Sequence, residues 1–160
     1  MGLRIVVAAD PAAVQYKDVI KADLESDSRV DEVIDVGVQV GDDTLYPHIG
    51  VKGAHVIKDG KADRGIFFCG TGMGMAITAN KVPGIRACTA HDSFSVERLI
   101  MSNDAHVLCL GQRVIGCELA RRLAHEFIGY TFDPSSHSKV NVDLINAYES
   151  GTGETTPGSC

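Results

Sequence analysis

The sequence predicts an α/β fold, a single domain of three layers (α/β/α) built around a five-stranded parallel sheet. Short apolar runs rich in β-branched and aromatic residues alternate with stretches of helical period along the chain, which is the pattern of strand–helix units. The runs LRIVVAA and GIFFC are apolar throughout rather than at every second position. Such strands are covered on both faces, as in a parallel sheet between two helix layers. A length of 160 residues suits one domain.

The individual elements follow in order from these two patterns. The fourth helix is expected to begin after Asp92 as its N-cap, and Gly116 and Gly129 bracket the fifth. The domain is expected to span residues 1–149, and the Gly/Thr/Ser-rich residues 150–160, which end at Cys160, to form a disordered tail. The predicted strands are residues 3–9, 32–36, 65–69, 85–90 and 105–110, and the predicted helices are residues 12–25, 46–58, 74–81, 93–101, 117–128 and 139–149.

The composition disfavours several classes of partner and location. With 21 acidic and 15 basic residues the net charge is -6, which argues against nucleic acid and anionic membranes as partners. The N-terminal apolar stretch is too short for a signal peptide, and no run of eighteen apolar residues occurs, so we expect a cytoplasmic protein. Five cysteines without a CxxC pair are expected to be reduced thiols, and the scattered histidines predict no metal site.

Polar residues follow three of the predicted strands, at the edge where parallel sheets bind ligands. They are Asp10, the loop CGTGMG at residues 69–74, and the pair His91 and Asp92. The glycines of the loop permit positive φ and a close backbone approach, so successive N–H groups can converge on an anion at a helix start. The loop matches neither GxxxxGK[ST] nor GxGxxG, and nucleotide binding therefore has no support.

Cys69 stands directly before the first glycine of this loop. A helix start favours the thiolate form of a cysteine, which makes Cys69 a candidate base or nucleophile. The alternative interpretation is that Cys69 is simply a small buried residue at the end of a strand.

The segments GIFFCGTGMGMAITANKVPGIRA and SNDAHVLCLGQRVIG resemble the ribose/galactose-phosphate isomerase family, which includes ribose 5-phosphate isomerase B. The likeness covers residues 3–147 and is closest to the branch that acts on D-erythrulose 4-phosphate. It implies a Rossmann-like fold and a homodimer or dimer of dimers, with active sites at the subunit interface and with no metal or other cofactor. It also implies an aldose–ketose isomerisation of a sugar phosphate, in which a base moves a proton between C1 and C2 through a cis-enediolate.

The same resemblance assigns roles to residues in and around the loop. Cys69 is the base, Thr71 assists proton movement on the sugar oxygens, and the loop N–H groups form the anion hole. Where one branch of the family has a glutamate, this chain has Met75, which cannot accept a proton. The expected substrate-binding residues are Gly70, Gly72, Met73 and Gly74, with Asp10 as a hydroxyl binder, Tyr46 as a wall of the pocket and Asn103 as a partner of the sugar oxygens.

Two departures from the family pattern concern the substrate. Members that act on ribose 5-phosphate have DH after the first strand and HND or HNN before the last, whereas this chain has Pro11 and Ser102 in place of the two histidines. Those histidines are associated with opening a furanose ring, and neither proline nor serine exchanges a proton at neutral pH as imidazole does. A tetrose 4-phosphate cannot close a five-membered ring because its O4 is esterified. D-erythrulose 4-phosphate and D-erythrose 4-phosphate are therefore the expected pair, which would suit erythritol catabolism.

The expected phosphate contacts also depart from the family. Its C-terminal GGRHQxRV corresponds to PSSHSKV here, so Ser136 and Lys139 replace two arginines. The predicted phosphate ligands are Arg113, His137 and Lys139. An ammonium in place of a bidentate guanidinium would reposition the phosphate.

Two other functions stay open on the sequence alone. One is a ribose 5-phosphate isomerase, or another pentose- or hexose-phosphate isomerase of the family, that recruits His91 or His137 for ring opening. The other is a non-catalytic sugar-phosphate binding protein, in which Cys69 would have no proton to transfer.

Overall fold

The computed structural model describes residues 2–153. Residues 154–160 of the predicted tail, with Cys160, lie outside the described residues. Between residues 2 and 153 no helix combines the length and the apolarity needed to cross a membrane. In chain order the elements are β1 (Leu3–Ala9), α1 (Val14–Glu25), β2 (Val30–Asp35), α2 (Tyr46–Lys58), β3 (Arg64–Cys69), α3 (Met73–Ala79), β4 (Ala87–Thr89), α4 (Ser93–Met101), β5 (Val107–Gly111), α5 (Cys117–Phe127) and α6 (Lys139–Glu149).

These five strands form one parallel sheet in the order β2-β1-β3-β5-β4, which confirms the predicted fold class. The register pairs Ala9 of β1 with Phe68 of β3, and Cys69 of β3 with Gly111 of β5. The carboxyl ends of the three central strands therefore meet at one edge. Because the chain passes from β1 outward to β2 and returns to β3 on the other side of β1, the crevice between β1 and β3 is a switch point, where parallel sheets bind ligands.

Each face of the sheet carries its own apolar core. Phe68 belongs to the core under α1, α4 and α5, whereas its neighbours Phe67 and Cys69 belong to the core under α2 and α3. All three side chains are buried. Consecutive strand residues point to opposite faces of the sheet, and both faces are covered. The strands are therefore apolar at consecutive positions, as the sequence predicts. This alternation places Cys69 on the face of the sheet that α3 covers.

The predicted helices and strands are confirmed, and most differences lie at their ends, by one or two residues. β4 covers Ala87–Thr89 instead of residues 85–90, because this edge strand pairs with β5 over three positions. Ile85 is buried in the preceding turn, where its N–H donates to the Val82 carbonyl at 3.1 Å. The predicted N-cap of α4 is confirmed, since the Asp92 carboxylate accepts a hydrogen bond from the Ser95 N–H at 2.8 Å.

A buried ion pair joins α1 to the end of β2, close to the crevice. The Lys17 side chain is 0% exposed, and its ammonium lies 2.6 Å from Asp35 Oδ2. Burial disfavours the ammonium, but hydrogen bonds to Asp35 and Asp18 outweigh that effect and raise the pKa of Lys17. The Gly37 N–H donates to the other Asp35 oxygen at 3.0 Å, and a Cβ on Gly37 would lie 2.7 Å from Ala9 N. The pair therefore fixes the backbone beside the carboxyl end of β1.

We expect Asp35→Ala to lower the free energy of unfolding by about 3 kcal/mol, because a buried ammonium loses its main partner. Asp23→Ala is the matched control. Asp23 pairs with Arg121 at 2.7 Å, but the two side chains are 39% and 42% exposed, and exposed pairs contribute less than about 1 kcal/mol. Urea unfolding at neutral pH measures both variants, and equal losses would contradict the role given to the Lys17 pair.

Candidate active site

Asp10 and Cys69 lie on the two sides of the switch-point crevice, at the carboxyl ends of β1 and β3. The Asp10 N–H donates to the Phe68 carbonyl at 3.3 Å, which holds Asp10 beside the strand that ends in Cys69. Cys69 is 5% exposed, and Asp10 is half-buried. The crevice therefore combines a thiol and a carboxyl group, the two side chains that the sequence places after these strands.

The loop after Cys69 folds back so that a backbone N–H meets the sulfur. The Gly72 N–H donates to Cys69 Sγ at 3.1 Å. Gly72 has φ +81°, a left-handed conformation that favours glycine. Within residues 2–153 the N–H groups of Gly70 and Gly74 have no acceptor. They are available to an anionic oxygen, and because α3 has only seven residues, these N–H groups matter more than its dipole.

The segment after β5 packs directly on this loop. A Cβ on Gly111 would lie 2.7 Å from the Cα and carbonyl carbon of Thr71, so the contact requires glycine. The two segments hold each other through their backbones. Two hydrogen bonds of 3.0 Å join them: the Gln112 N–H to the Cys69 carbonyl, and the Arg113 N–H to the Gly70 carbonyl.

Arg113 brings a positive charge over the loop. A Cβ on Gly70 would lie 3.4 Å from Arg113 Cδ, and Arg113 is exposed. Burial raises the pKa of Asp10, while the Ala12 N–H, which donates to its carboxylate at 3.0 Å, and the charge of Arg113 act against this rise. A guanidinium at the mouth of the crevice suits an anionic group such as a phosphate.

The first turn of α2 lies on the other side of the loop. A Cβ on Gly74 would lie 2.8 Å from the Tyr46 ring, so this ring packs against the loop backbone. Met73 is 56% exposed, whereas Met75 is 0% exposed and its sulfur lies against Gly50 of α2. The loop thus turns Met73 toward solvent and Met75 into the core.

Asn103 lies in the turn between α4 and β5, at the amino ends of the strands. The Cys69 loop lies at their carboxyl ends. The Asn103 side-chain amide donates to the Arg98 carbonyl at 3.1 Å. From this turn β5 runs for five residues to Gly111 beside the loop, and five residues of strand span about 17 Å. One chain therefore does not bring Asn103 to Cys69.

Arg86 fixes the turn that carries Asn103. Its guanidinium donates to the carbonyl oxygens of Asn103 at 2.9 Å and Asp104 at 3.1 Å. It also donates to Asn146 Oδ1 of α6 at 3.0 Å. Asp104 has φ +46°, which is uncommon for a residue other than glycine. The arginine of the GIRA segment therefore holds a strained turn and the last helix together at this end of the sheet.

The predicted phosphate residues at the start of α6 are separate from the loop within one chain. His137 is exposed, and Lys139 Nζ pairs with Asp143 one helical turn later at 2.6 Å. Across the described residues no hydrogen bond or ion pair joins His137 or Lys139 to the loop. Arg113 is the predicted phosphate residue that a single chain places beside the loop.

Two residues that shape these segments carry no strong signal in the sequence. Gly111 and Arg86 act through contacts with segments that are distant along the chain, and hydrophobic periodicity does not reveal such contacts. The one hint is that Gly111 ends a strand, because a glycine there often marks a close backbone approach.

A separate cleft of about 760 Å³ lies between α1 and α5. One of its ion pairs joins the two helices, since the Arg121 guanidinium donates to the Asp23 carboxylate at 2.7 and 2.9 Å. Within the described part of the chain, no cluster of three metal-binding side chains occurs. The crevice between β1 and β3 is therefore the candidate active site.

Known proteins with similar sequences and folds are sugar-phosphate isomerases. A family model described as Ribose/Galactose Isomerase matches residues 5–145. D-erythrulose-4-phosphate isomerase 2 of Mycolicibacterium smegmatis is 53% identical over 150 residues, which are 93% of this chain and 99% of that protein. D-erythrulose-4-phosphate isomerase of Pectobacterium atrosepticum is 42% identical over 148 residues, or 92% and 95% of the two chains. The solved structure of Leishmania infantum type B ribose 5-phosphate isomerase has a TM-score of 0.90 and 30% identity, over 94% of this chain and 99% of that one.

The fold and these relatives define an enzyme of the sugar-phosphate isomerase class, and that prediction is confirmed. The chain belongs to the ribose/galactose isomerase family. The resemblance in the sequence is thus confirmed as well, including its closeness to proteins named for D-erythrulose 4-phosphate.

We expect Gly111→Ala to lower kcat about 100-fold, because the added methyl group must push the Thr71 backbone, and with it the loop, out of position. The same overlap should lower the free energy of unfolding by about 1 to 3 kcal/mol. Gly116→Ala is the matched control, since a Cβ on Gly116 would meet nothing within 4 Å. Steady-state kinetics on the preferred sugar phosphate and thermal unfolding check both variants, and a Gly111→Ala enzyme with normal kcat would contradict the importance of this contact.

Proposed function

We propose that this enzyme interconverts D-erythrulose 4-phosphate and D-erythrose 4-phosphate, with the Cys69 thiolate as the base. The observation that carries this proposal is the position of the sulfur, which ends β3 at the switch-point crevice and accepts the Gly72 N–H at 3.1 Å. A donor aimed at the sulfur stabilises a thiolate, the form that can take a proton from carbon.

The reaction needs one base and one site for a transient anion. The thiolate removes a proton from C1 of the ketose, the C–H electrons form a C1–C2 double bond, and O2 becomes the enediolate oxygen. The O1 proton then moves to O2, and the thiol returns its proton to C2, so the substrate is neither oxidised nor reduced overall. We assign the exchange between the oxygens to the Thr71 hydroxyl, and stabilisation of the enediolate to the N–H groups of Gly70 and Gly74.

The residues around Cys69 support its choice as the base. Met75 takes the place of the glutamate that another branch uses, and it is buried against α2 without a group that accepts a proton. Asp10 lies across the crevice, directly after β1, where it suits the binding of a substrate hydroxyl. Arg113, exposed over the loop, suits the phosphate.

The substrate class rests on two residues and on the relatives. Pro11 follows Asp10, and Ser102 precedes Asn103, at the two positions where family members acting on ribose 5-phosphate have histidines. The relatives at 53% and 42% identity are named for D-erythrulose 4-phosphate, which supports an open-chain substrate. A pentose phosphate is the second candidate, favoured by the close fold match to a type B ribose 5-phosphate isomerase.

We further propose that two copies of the chain complete each site. Asn103 and the start of α6 lie away from the loop within one chain, so a second copy has to supply them if they bind substrate. Apolar side chains are exposed next to the loop and on α6, which supports such an assembly. They include Met73 and Ile77 at 56% and 63% exposure, and Val140 and Leu144 at 63% and 48%.

We expect Cys69→Ala to lower kcat about 10²- to 10⁴-fold, because the loop has no other group that accepts the proton. Cys88→Ala removes an exposed thiol from β4 and should leave kcat unchanged, which makes it the matched control. Coupled assays with D-erythrulose 4-phosphate and with ribose 5-phosphate give kcat and KM for both variants.

Three outcomes of these assays would overturn parts of the proposal. A higher kcat/KM on the pentose would refute the tetrose substrate. Full activity of Cys69→Ala would refute the base. Tight binding of both sugar phosphates by the wild-type protein with no turnover of either would favour the non-catalytic alternative.

A mixing experiment tests whether two chains share one site. Cys69→Ala and Asn103→Ala should each be nearly inactive, but a heterodimer of the two would hold one site with Cys69 from one chain and Asn103 from the other. Random reassociation makes half of the dimers mixed, so mixing should restore about a quarter of the wild-type activity. Variants that stay inactive when mixed, although they exchange subunits, would show that both residues act within one chain.

A further inference from the structure

His91 follows the carboxyl end of β4 and provides a hydrogen-bond acceptor where β4 is too short to pair with β5. β4 ends at Thr89, whereas the neighbouring β5 continues to Gly111. Successive N–H groups of a strand point to opposite neighbours, and the Gln112 N–H donates toward β3, to the Cys69 carbonyl. The Gly111 N–H therefore points toward β4, beyond its last residue, and His91 Nε2 accepts it at 3.0 Å. A side chain thus supplies the acceptor that a longer strand would have supplied.

This hydrogen bond fixes the form of the imidazole. A ring nitrogen that accepts a hydrogen bond carries no proton, so the neutral ring has its proton on Nδ1. Within residues 2–153 Nδ1 makes no hydrogen bond. Protonation of His91 would bring two N–H donors, on Nε2 and on Gly111, face to face at 3.0 Å. The contact with Gly111 therefore exists only while His91 is neutral.

The position of Gly111 matters because the Cys69 loop rests on it. A Cβ on Gly111 would overlap the Thr71 backbone, and the N–H groups of the two residues after Gly111 donate to the carbonyls of Cys69 and Gly70. A displaced Gly111 would displace these carbonyls, and with them the Gly72 N–H that meets the sulfur.

We propose that His91 is a positioning residue for the isomerisation: in its neutral form it holds Gly111, and through Gly111 it holds the Cys69 loop in the geometry that the reaction needs. The inference rests on the proposed function of Cys69. It gives His91 no contact with the substrate and no role in ring opening.

The charge on His91 makes this support depend on pH. Burial lowers the pKa of His91 below its ordinary value of 6.5, and the neighbouring Asp92 acts in the opposite direction. Asp92 is the one titratable group among the described residues that shifts it, and from β5 the ring meets the uncharged Gly111 backbone. As pH falls through 6.5, the unfolded chain takes up the proton first. The contribution of the contact to stability is thus complete above 6.5 and declines as pH falls toward the lowered pKa of the folded state.

Two amide variants show which nitrogen matters. The side chain of His91→Gln can place its oxygen where Nε2 lies and accept from Gly111 without titrating, whereas that of His91→Asn reaches only the place of Nδ1. We expect His91→Gln to keep kcat within about threefold of wild type and His91→Asn to lower it about 10- to 100-fold, with a smaller change in KM. The acid limb of the kcat profile should lie at lower pH in His91→Gln than in wild type.

NMR of the intact protein gives a readout that needs no substrate. The ¹⁵N shifts of His91 should report the Nδ1–H form at neutral pH. Exchange of the Gly111 amide should be slow in wild type and His91→Gln, and at least about tenfold faster in His91→Asn. In wild type it should accelerate as His91 becomes protonated, and this titration decides the matter even if His91→Asn does not fold.

The possible results separate this inference from the proposed function. The inference would be overturned if neutral His91 carried its proton on Nε2. It would also be overturned if the exchange rate of the Gly111 amide did not change as His91 became protonated. A His91→Asn enzyme with wild-type kcat, while Cys69→Ala is inactive, would overturn it as well. Full activity of Cys69→Ala would refute the assignment of Cys69 as the base. It would not affect the NMR evidence that His91 holds Gly111.

Discussion

The site depends on one close contact, in which the Gly111 backbone lies against the Thr71 backbone. Parallel pairing of β3 with β5 brings the two loops together, and the absence of a side chain at Gly111 lets them touch. Because alternate residues of these strands belong to two different cores, a one-residue slip in register would move every side chain into the wrong core. The geometry of the Cys69 loop is therefore set by the sheet, which explains how a helix of only seven residues can follow it.

The fold and half of the site could be predicted because their signals are local. GIFFC is apolar at every position since both faces of β3 are covered, and α2 and α4 have the bounds that the sequence predicts. Cys69 and its glycine loop are contiguous in sequence. Asp10 could be placed beside them because the carboxyl ends of parallel strands share an edge.

The rest of the site could not be predicted because it depends on contacts between distant segments. Periodicity does not show that β4 stops at Thr89, and without that end nothing marks His91 as an acceptor for Gly111. Asn103 is separated from Cys69 because it precedes β5, whose far end lies beside the Cys69 loop. A comparison of sequence motifs does not show this distance. Arg86 carries a further long-range contact, to Asn146 of α6.

The geometry of His91 also bears on the choice between a tetrose and a pentose. Opening a furanose ring requires a group that takes a proton from one oxygen and gives a proton to another. His91 has Nε2 committed to Gly111, so it offers a donor at Nδ1 but no acceptor. His137, the other imidazole considered for this task, stands exposed before α6 and is not joined to the loop within one chain. Of these two imidazoles, His137 could therefore open a pentose ring only if a second copy carried it to the crevice, which ties the question of substrate to that of assembly.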